Sequence, residues 1–100
     1  MRTSFLIDEE LFKKISELCV AADLKREAFF RKAFKAALQM DKDKFLEENS
    51  SLNKQKSRAV VNLPDELIND IDIYCRNIDQ KINRSDFFRI ASTHYYFYLS

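Results

Sequence analysis

Residues 2–19, RTSFLIDEELFKKISELC, and residues 58–75, RAVVNLPDELINDIDIYC, are one pattern written twice. At an offset of 56, Arg2 falls on Arg58, Glu10 on Glu66, Leu11 on Leu67, Ile15 on Ile71 and Cys19 on Cys75. Two extra residues in the second copy bring Arg26 onto Arg84, Phe29 onto Phe87, Phe30 onto Phe88, Arg31 onto Arg89 and Ala33 onto Ala91. Ten identities spaced like a helical core exceed chance. Each copy reads as a short strand and two helices, too small to enclose a core alone, so the chain is expected to pair its copies.

Residues 2–7 alternate, with Thr3, Phe5 and Ile7 on one face and Arg2, Ser4 and Leu6 on the other. Residues 58–63 repeat this, with Ala59, Val61 and Leu63 against Arg58, Val60 and Asn62. Each strand runs straight into a helix, predicted over about 8–21 and 64–77. Pro64 suits a first helical position, Asp8 can cap or complement the same end, and Glu9, Glu10, Asp65 and Glu66 place acid in the first turns. The apolar stripes of these helices are Leu11, Ile15, Leu18, Cys19 and Leu67, Ile71, Tyr74, Cys75. Second helices are predicted from near Arg26 and Arg84, carrying Phe29, Phe30, Ala33, Ala37 and Phe87, Phe88, Ala91, Tyr95.

The polar stretch DKDKFLEENSSLNKQKS separates the copies. Its first half is expected to extend the preceding helix to about Glu48, leaving Asn49 to Ser57 as a linker. Roughly nine extended residues reach on the order of 30 Å, enough to bring the second strand beside the first. A lone strand leaves its backbone unpaired, and a two-stranded ribbon needs helices packed on it. The economical arrangement pairs strand 2–7 antiparallel with strand 58–63 about a pseudo-twofold axis, with Phe5, Ile7, Val61 and Leu63 facing four helices. The expected organisation is a first repeat over 1–42, a helix extension and linker over 43–57, and a second repeat over 58–100, the two repeats sharing one compact domain.

A net charge of +1 over 100 residues does not by itself announce a polyanion partner, so any such partner must be argued from where the charges sit. Apolar runs are short and broken by charge, so no membrane span is expected, and Met-Arg-Thr-Ser-Phe does not read as a signal peptide. An intracellular, cytoplasmic protein is expected. Cys19 and Cys75 lie on buried stripes, where free cysteine behaves as a small hydrophobe. His94 has no cysteine or acidic cluster at ligand spacing, so neither metal nor cofactor is expected. Glycine is absent, which removes glycine-dependent phosphate loops and dinucleotide fingerprints, and no nucleophile–base arrangement can be read. Enzymatic function is not expected.

VVNLPDELINDI followed by NRSDFFRIA, and more loosely FLIDEELFKKI followed by KREAFFRKAF, resembles the ribbon-helix-helix fold of the Arc, MetJ and CopG type. Such proteins normally dimerise to make the ribbon, so the chain resembles a single-chain version holding both halves. The implied fold is mostly α: two ribbon-helix-helix repeats in an intramolecular pseudo-dimer, with a two-stranded antiparallel β-ribbon and four helices. Tandem members of this kind occur among conjugation accessory proteins of the TraY sort.

The resemblance implies a ribbon lying in the DNA major groove and reading base edges through Arg2, Ser4 and Leu6 from one copy and Arg58, Val60 and Asn62 from the other. The residue types suit that task. Arginine addresses guanine O6 and N7, asparagine addresses adenine, serine serves either, and leucine or valine meets a thymine methyl. The six positions differ between copies, so unlike half-sites are expected; the alternative is a bare exposed ribbon face.

The resemblance also implies a DNA phosphate at the N-terminus of each second helix, involving Lys25 and Arg26 in one copy and Asn83, Arg84 and Ser85 in the other. Asn83 with Asp86 makes a plausible cap, whereas Lys25 is a poor one. A phosphate completing that helix end and a merely solvated lysine are both compatible with Lys25. Lys54, Lys56 and Arg58 form a further basic cluster suited to the DNA backbone. Where the family commonly has glycine between the helices, copy one has Asp23, tolerable if left-handed. Two extra residues in DQKIN make copy two the expected weaker half.

Tyr95, Tyr96, Phe97 and Tyr98 are consecutive, and one helical face cannot bury all four. Some are expected to face outward and offer a surface for self-association or a protein partner; a partly covered terminus is the plainer reading. The function implied is sequence-specific duplex binding for transcriptional repression. An antitoxin repressing its own operon or a plasmid-transfer accessory protein are variants of it. A protein-interaction module that kept the fold and lost DNA binding competes, drawing on the small net charge and on outward Leu6 and Val60.

Overall fold

Strands β1 (Arg2–Asp8) and β2 (Lys56–Asn62) pair antiparallel, with Arg2 opposite Asn62, Ser4 opposite Val60 and Leu6 opposite Arg58. The computed structural model describes residues 1–47, 56–78 and 82–99. The ribbon keeps the alternation of its sequence. Phe5, Ile7, Ala59 and Val61 are buried, while Arg2, Ser4, Leu6, Arg58, Val60 and Asn62 are exposed. Met1 and Leu63 exchange backbone hydrogen bonds and extend the ladder past Arg2.

Among the described residues the fold is mostly helical. α1 (Glu9–Ala21) and α2 (Arg26–Ala37) follow β1, and α4 (Asp65–Arg76) and α5 (Arg84–Leu99) follow β2. The expected stripes are found: Ile15, Cys19, Leu67, Ile71, Tyr74 and Cys75 are buried, with Leu11 and Leu18 packed against them. Pro64 sits one position earlier than expected. It is the N-cap of α4, with an extended ψ of 146°, and its carbonyl accepts from the amides of Leu67 and Ile68.

The turn from α1 to α2 closes as a Schellman motif. The Leu24 amide reaches the Cys19 carbonyl at 2.8 Å and the Asp23 amide reaches Val20 at 3.2 Å. Asp23 takes the left-handed conformation this requires, with φ 53°.

The expected extension of α2 toward Glu48 is corrected. The helix stops at Ala37, the chain turns through Leu38–Met40, and a fifth, short helix α3 (Lys42–Leu46) follows. A continuous helix would have carried Phe45 about 12 Å beyond Ala37. The break instead folds Phe45 into the core, where its ring centroid lies 5.2 Å from Phe87 and 5.4 Å from Tyr74. The linker expected over 49–57 lies outside the described residues up to residue 55, and β2 begins at Lys56, earlier than Arg58.

One core cluster draws on both halves of the chain. Phe5 hangs from the ribbon into it, with ring centroids 5.4 Å from Phe30 on α2 and 5.3 Å from Phe88 on α5. Phe34 and Phe88 close the α2–α5 contact at 4.8 Å. The helices therefore support the ribbon from one side and leave its other side open.

Candidate nucleic-acid interface

Strict alternation over seven residues in each strand puts every candidate base-reading side chain on the unburied face of the ribbon. Leu6 and Val60 remain 37 % and 46 % exposed there, although both are apolar. Arg58 crosses the ribbon diagonally, its Nη1 donating to Ser4 Oγ at 3.0 Å. Lys56 starts the same face opposite Asp8, and Lys54 lies outside the described residues.

Beside the ribbon, Arg2, Arg58 and Asn62 join Phe12 and the first turn of α2 around a groove of about 570 Å³. Arg26 reaches it from α2, with its guanidinium carbon 5.2 Å from the centroid of the Phe12 ring. Three arginines from three elements thus line one depression. Glu27, its single acid among the described residues, is engaged: Oε1 accepts from the Asn62 amide at 2.8 Å, and Oε2 lies 3.7 Å from Arg31. Arg31 Nε in turn donates to the Asn62 carbonyl at 3.1 Å. This Glu27–Arg31 pair fixes the end of β2 to α2, and sequence reasoning missed it because the partners are separated by more than thirty residues.

Lys25 occupies the N-cap of α2 with extended backbone and makes no side-chain cap. The α5 end differs. Asn83 Oδ1 accepts from the Asp86 amide at 2.8 Å and Asp86 Oδ2 accepts from the Asn83 amide at 3.4 Å, a reciprocal capping box. Ser85 is exposed in the first turn. Arg84 is held by Asp72 through two hydrogen bonds of 2.7 Å, from Nε and Nη2. These bonds hold the Asp72 carboxyl below its ordinary pKa and raise that of Arg84. Asp72 was not among the candidate residues. The repeat did carry a signal, because the position corresponding to Asp72 in the first copy is Ser16.

The aromatic run of α5 divides. Tyr95 and Tyr96 are half-buried, Tyr95 lying 5.3 Å from Phe29, whereas Phe97 and Tyr98 are 61 % and 80 % exposed. Phe97 and Tyr98 border a hollow of about 680 Å³ floored by Ala33, Ala36, Ala37 and Ala91. His94 is turned inward, and its Nε2 donates to the Phe45 carbonyl at 2.8 Å. Cys19 and Cys75 are free and buried; burial pushes both thiols up, Cys75 to about 11. Among the described residues no helix is long and apolar enough to cross a membrane.

Comparison of the chain with protein-family models, with curated proteins and with solved structures finds no match in any of the three.

Proposed function

We propose that the chain is a tandem ribbon-helix-helix protein whose two repeats form an intramolecular pseudo-dimer, and that it binds duplex DNA sequence-specifically as a transcriptional repressor. The observation that carries this reading is the two-faced ribbon: helices fill one side, while Arg2, Ser4, Leu6, Arg58, Val60 and Asn62 stand exposed on the other. The register agrees with a pseudo-twofold axis. With the copies offset by 56, the axis passes through the Ser4–Val60 pair and exchanges Arg2–Asn62 with Arg58–Leu6. A B-DNA major groove about 12 Å wide admits a two-stranded ribbon, so these side chains can meet base edges without rearrangement of the backbone. Each good bidentate contact, Arg2 or Arg58 to guanine or Asn62 to adenine, contributes roughly 1–3 kcal/mol of discrimination.

Backbone contacts in this reading come first from Arg26 and Lys25 at the α2 end, next to the arginine-lined groove, with Lys56 at the start of β2. A protein of this kind would sit with the nucleoid in the cytoplasm. Antitoxin and plasmid-transfer accessory roles use the same interface and differ only in genetic context. Replacing Arg2 and Arg58 together with Ala tests the reading. Specific binding should be lost while the circular dichroism spectrum and unfolding midpoint hold; binding that survives both changes contradicts it.

The exposed Phe97 and Tyr98 favour a second reading, a protein-interaction module or self-association through the end of α5. Failure of the chain to retain any duplex would favour that reading.

A further inference from the structure

The two repeats treat one arginine in opposite ways. Arg26 and Arg84 correspond in the repeat, each as the first residue of its helix. In the first copy, Ser16 stands where the second has Asp72, and its Oγ donates to the Phe12 carbonyl at 2.9 Å. Arg26 therefore meets no carboxylate at that position and lies over the Phe12 ring at the rim of the groove. In the second copy, Asp72 supplies two oxygens to the guanidinium in a fork 2.7 Å deep on both arms. That is the geometry in which arginine takes a phosphate. The capping box of Asn83 and Asp86 occupies the helix end beside it.

We infer that Asp72 is an internal stand-in for a DNA phosphate, so that only the first repeat clamps the backbone and Asp72 holds the affinity of the second repeat down. This rests on the DNA-binding reading above. It makes phosphate contact one-sided and assigns Asp72, a residue on α4 outside the base-reading face, the role of a positioning residue acting through Arg84. Asymmetry then has two sources: unlike base-reading residues, and one clamp in place of two.

The test measures binding to a random-sequence duplex by fluorescence anisotropy across about 50 to 200 mM salt. The proteins are wild type, Asp72→Ser (the residue of the first copy), the near-isosteric Asp72→Asn, Asp72→Ser with Arg84→Gln, and Asp70→Asn. Asp70→Asn makes the same charge change as Asp72→Asn at a nearby exposed position of α4. Releasing Arg84 to a phosphate should steepen the slope of log affinity against log salt by about 0.9, which is roughly a 3.5-fold larger loss across that range. Asp72→Ser and Asp72→Asn should both show this with tighter binding at low salt, Arg84→Gln should abolish the gain, and Asp70→Asn should leave the slope unchanged. A wild-type slope in both Asp72 variants, or an equal steepening in Asp70→Asn, overturns the inference while leaving the DNA reading intact. No binding by wild type at the lowest salt overturns the DNA reading and the inference with it.

Discussion

Replacing Phe5 with Ala should cost most of the stability of the fold, whereas replacing its neighbour Leu6 should cost almost none. Phe5 is 1 % exposed and its ring lies within 6.0 Å of three others, Phe30, Phe34 and Phe88, contributed by both repeats. Truncating a buried Phe to Ala costs about 3–5 kcal/mol through lost transfer energy and the cavity left behind. Against a total stability on the order of 5–15 kcal/mol, that loss brings the chain close to unfolding. With a urea dependence of about 1.5 kcal/mol per molar, the midpoint should fall by about 2–3 M. Phe5→Leu keeps most of the bulk and loses the aromatic edges, so a loss of about 1.5 kcal/mol is expected and keeps the comparison measurable. Leu6 is 37 % exposed on the other face, and Leu6→Ala should change stability by less than about 0.5 kcal/mol. The assay is urea unfolding followed by circular dichroism for all three variants. A one-residue slip in register exchanges the faces of a strand. Comparable losses for Leu6→Ala and Phe5→Ala would therefore refute the assignment of ribbon faces on which the DNA reading stands.

Other consequences are as direct. Asp23→Gly removes the side-chain cost of a φ of 53° and should raise stability by about 0.5–1 kcal/mol in the same urea assay; a loss would mean that the Asp23 side chain contributes something the turn needs. Phe45→Ala should cost about 3–5 kcal/mol, because α3 seals the core; a cost below about 0.5 kcal/mol would make that segment a mere connector. The hydrogen bonds from Arg84 lower the Asp72 pKa relative to the unfolded chain, so this pair stabilises above the ordinary carboxylate value near 3.9 and loses its contribution as pH falls through the lower folded value. The stability gap between wild type and Asp72→Asn should thus be constant between about pH 5 and 8 and shrink progressively as pH falls below the ordinary carboxylate value; a gap that stays undiminished in acid would contradict the pairing.

The parts of this fold that could be read in the sequence are those governed by local periodicity. Alternation in RTSFLI and RAVVNL placed Phe5 and Val61 inward and Arg2 and Arg58 outward, and four-residue steps placed Ile15, Cys19, Ile71 and Cys75 in the core. Turn chemistry was equally local: Asn83 with Asp86 as a cap follows from neighbours three positions apart, while the left-handed Asp23 was only allowed for, through the resemblance, at a position where glycine is common. Features made by distant partners were hidden. α3 carries a single adjacent apolar pair, Phe45 and Leu46, in a charged stretch, and its burial depends on Tyr74, Phe87 and His94 from the other half of the chain. The Glu27–Arg31 hold on Asn62 and the Arg84–Asp72 fork likewise join elements that periodicity cannot bring together. Only the Ser16-for-Asp72 difference between copies hinted at the latter.

The most direct test of the central claim is selection from a random duplex pool at near-physiological salt, followed by sequencing of the retained molecules, with wild type and the Arg2→Ala, Arg58→Ala double variant side by side. An enriched motif of two short, unlike half-sites, recovered with wild type and lost with the double variant, is the predicted result. Retention without a motif would reduce the chain to a phosphate-driven binder. No retention, or the same motif from both proteins, would contradict a ribbon that reads DNA.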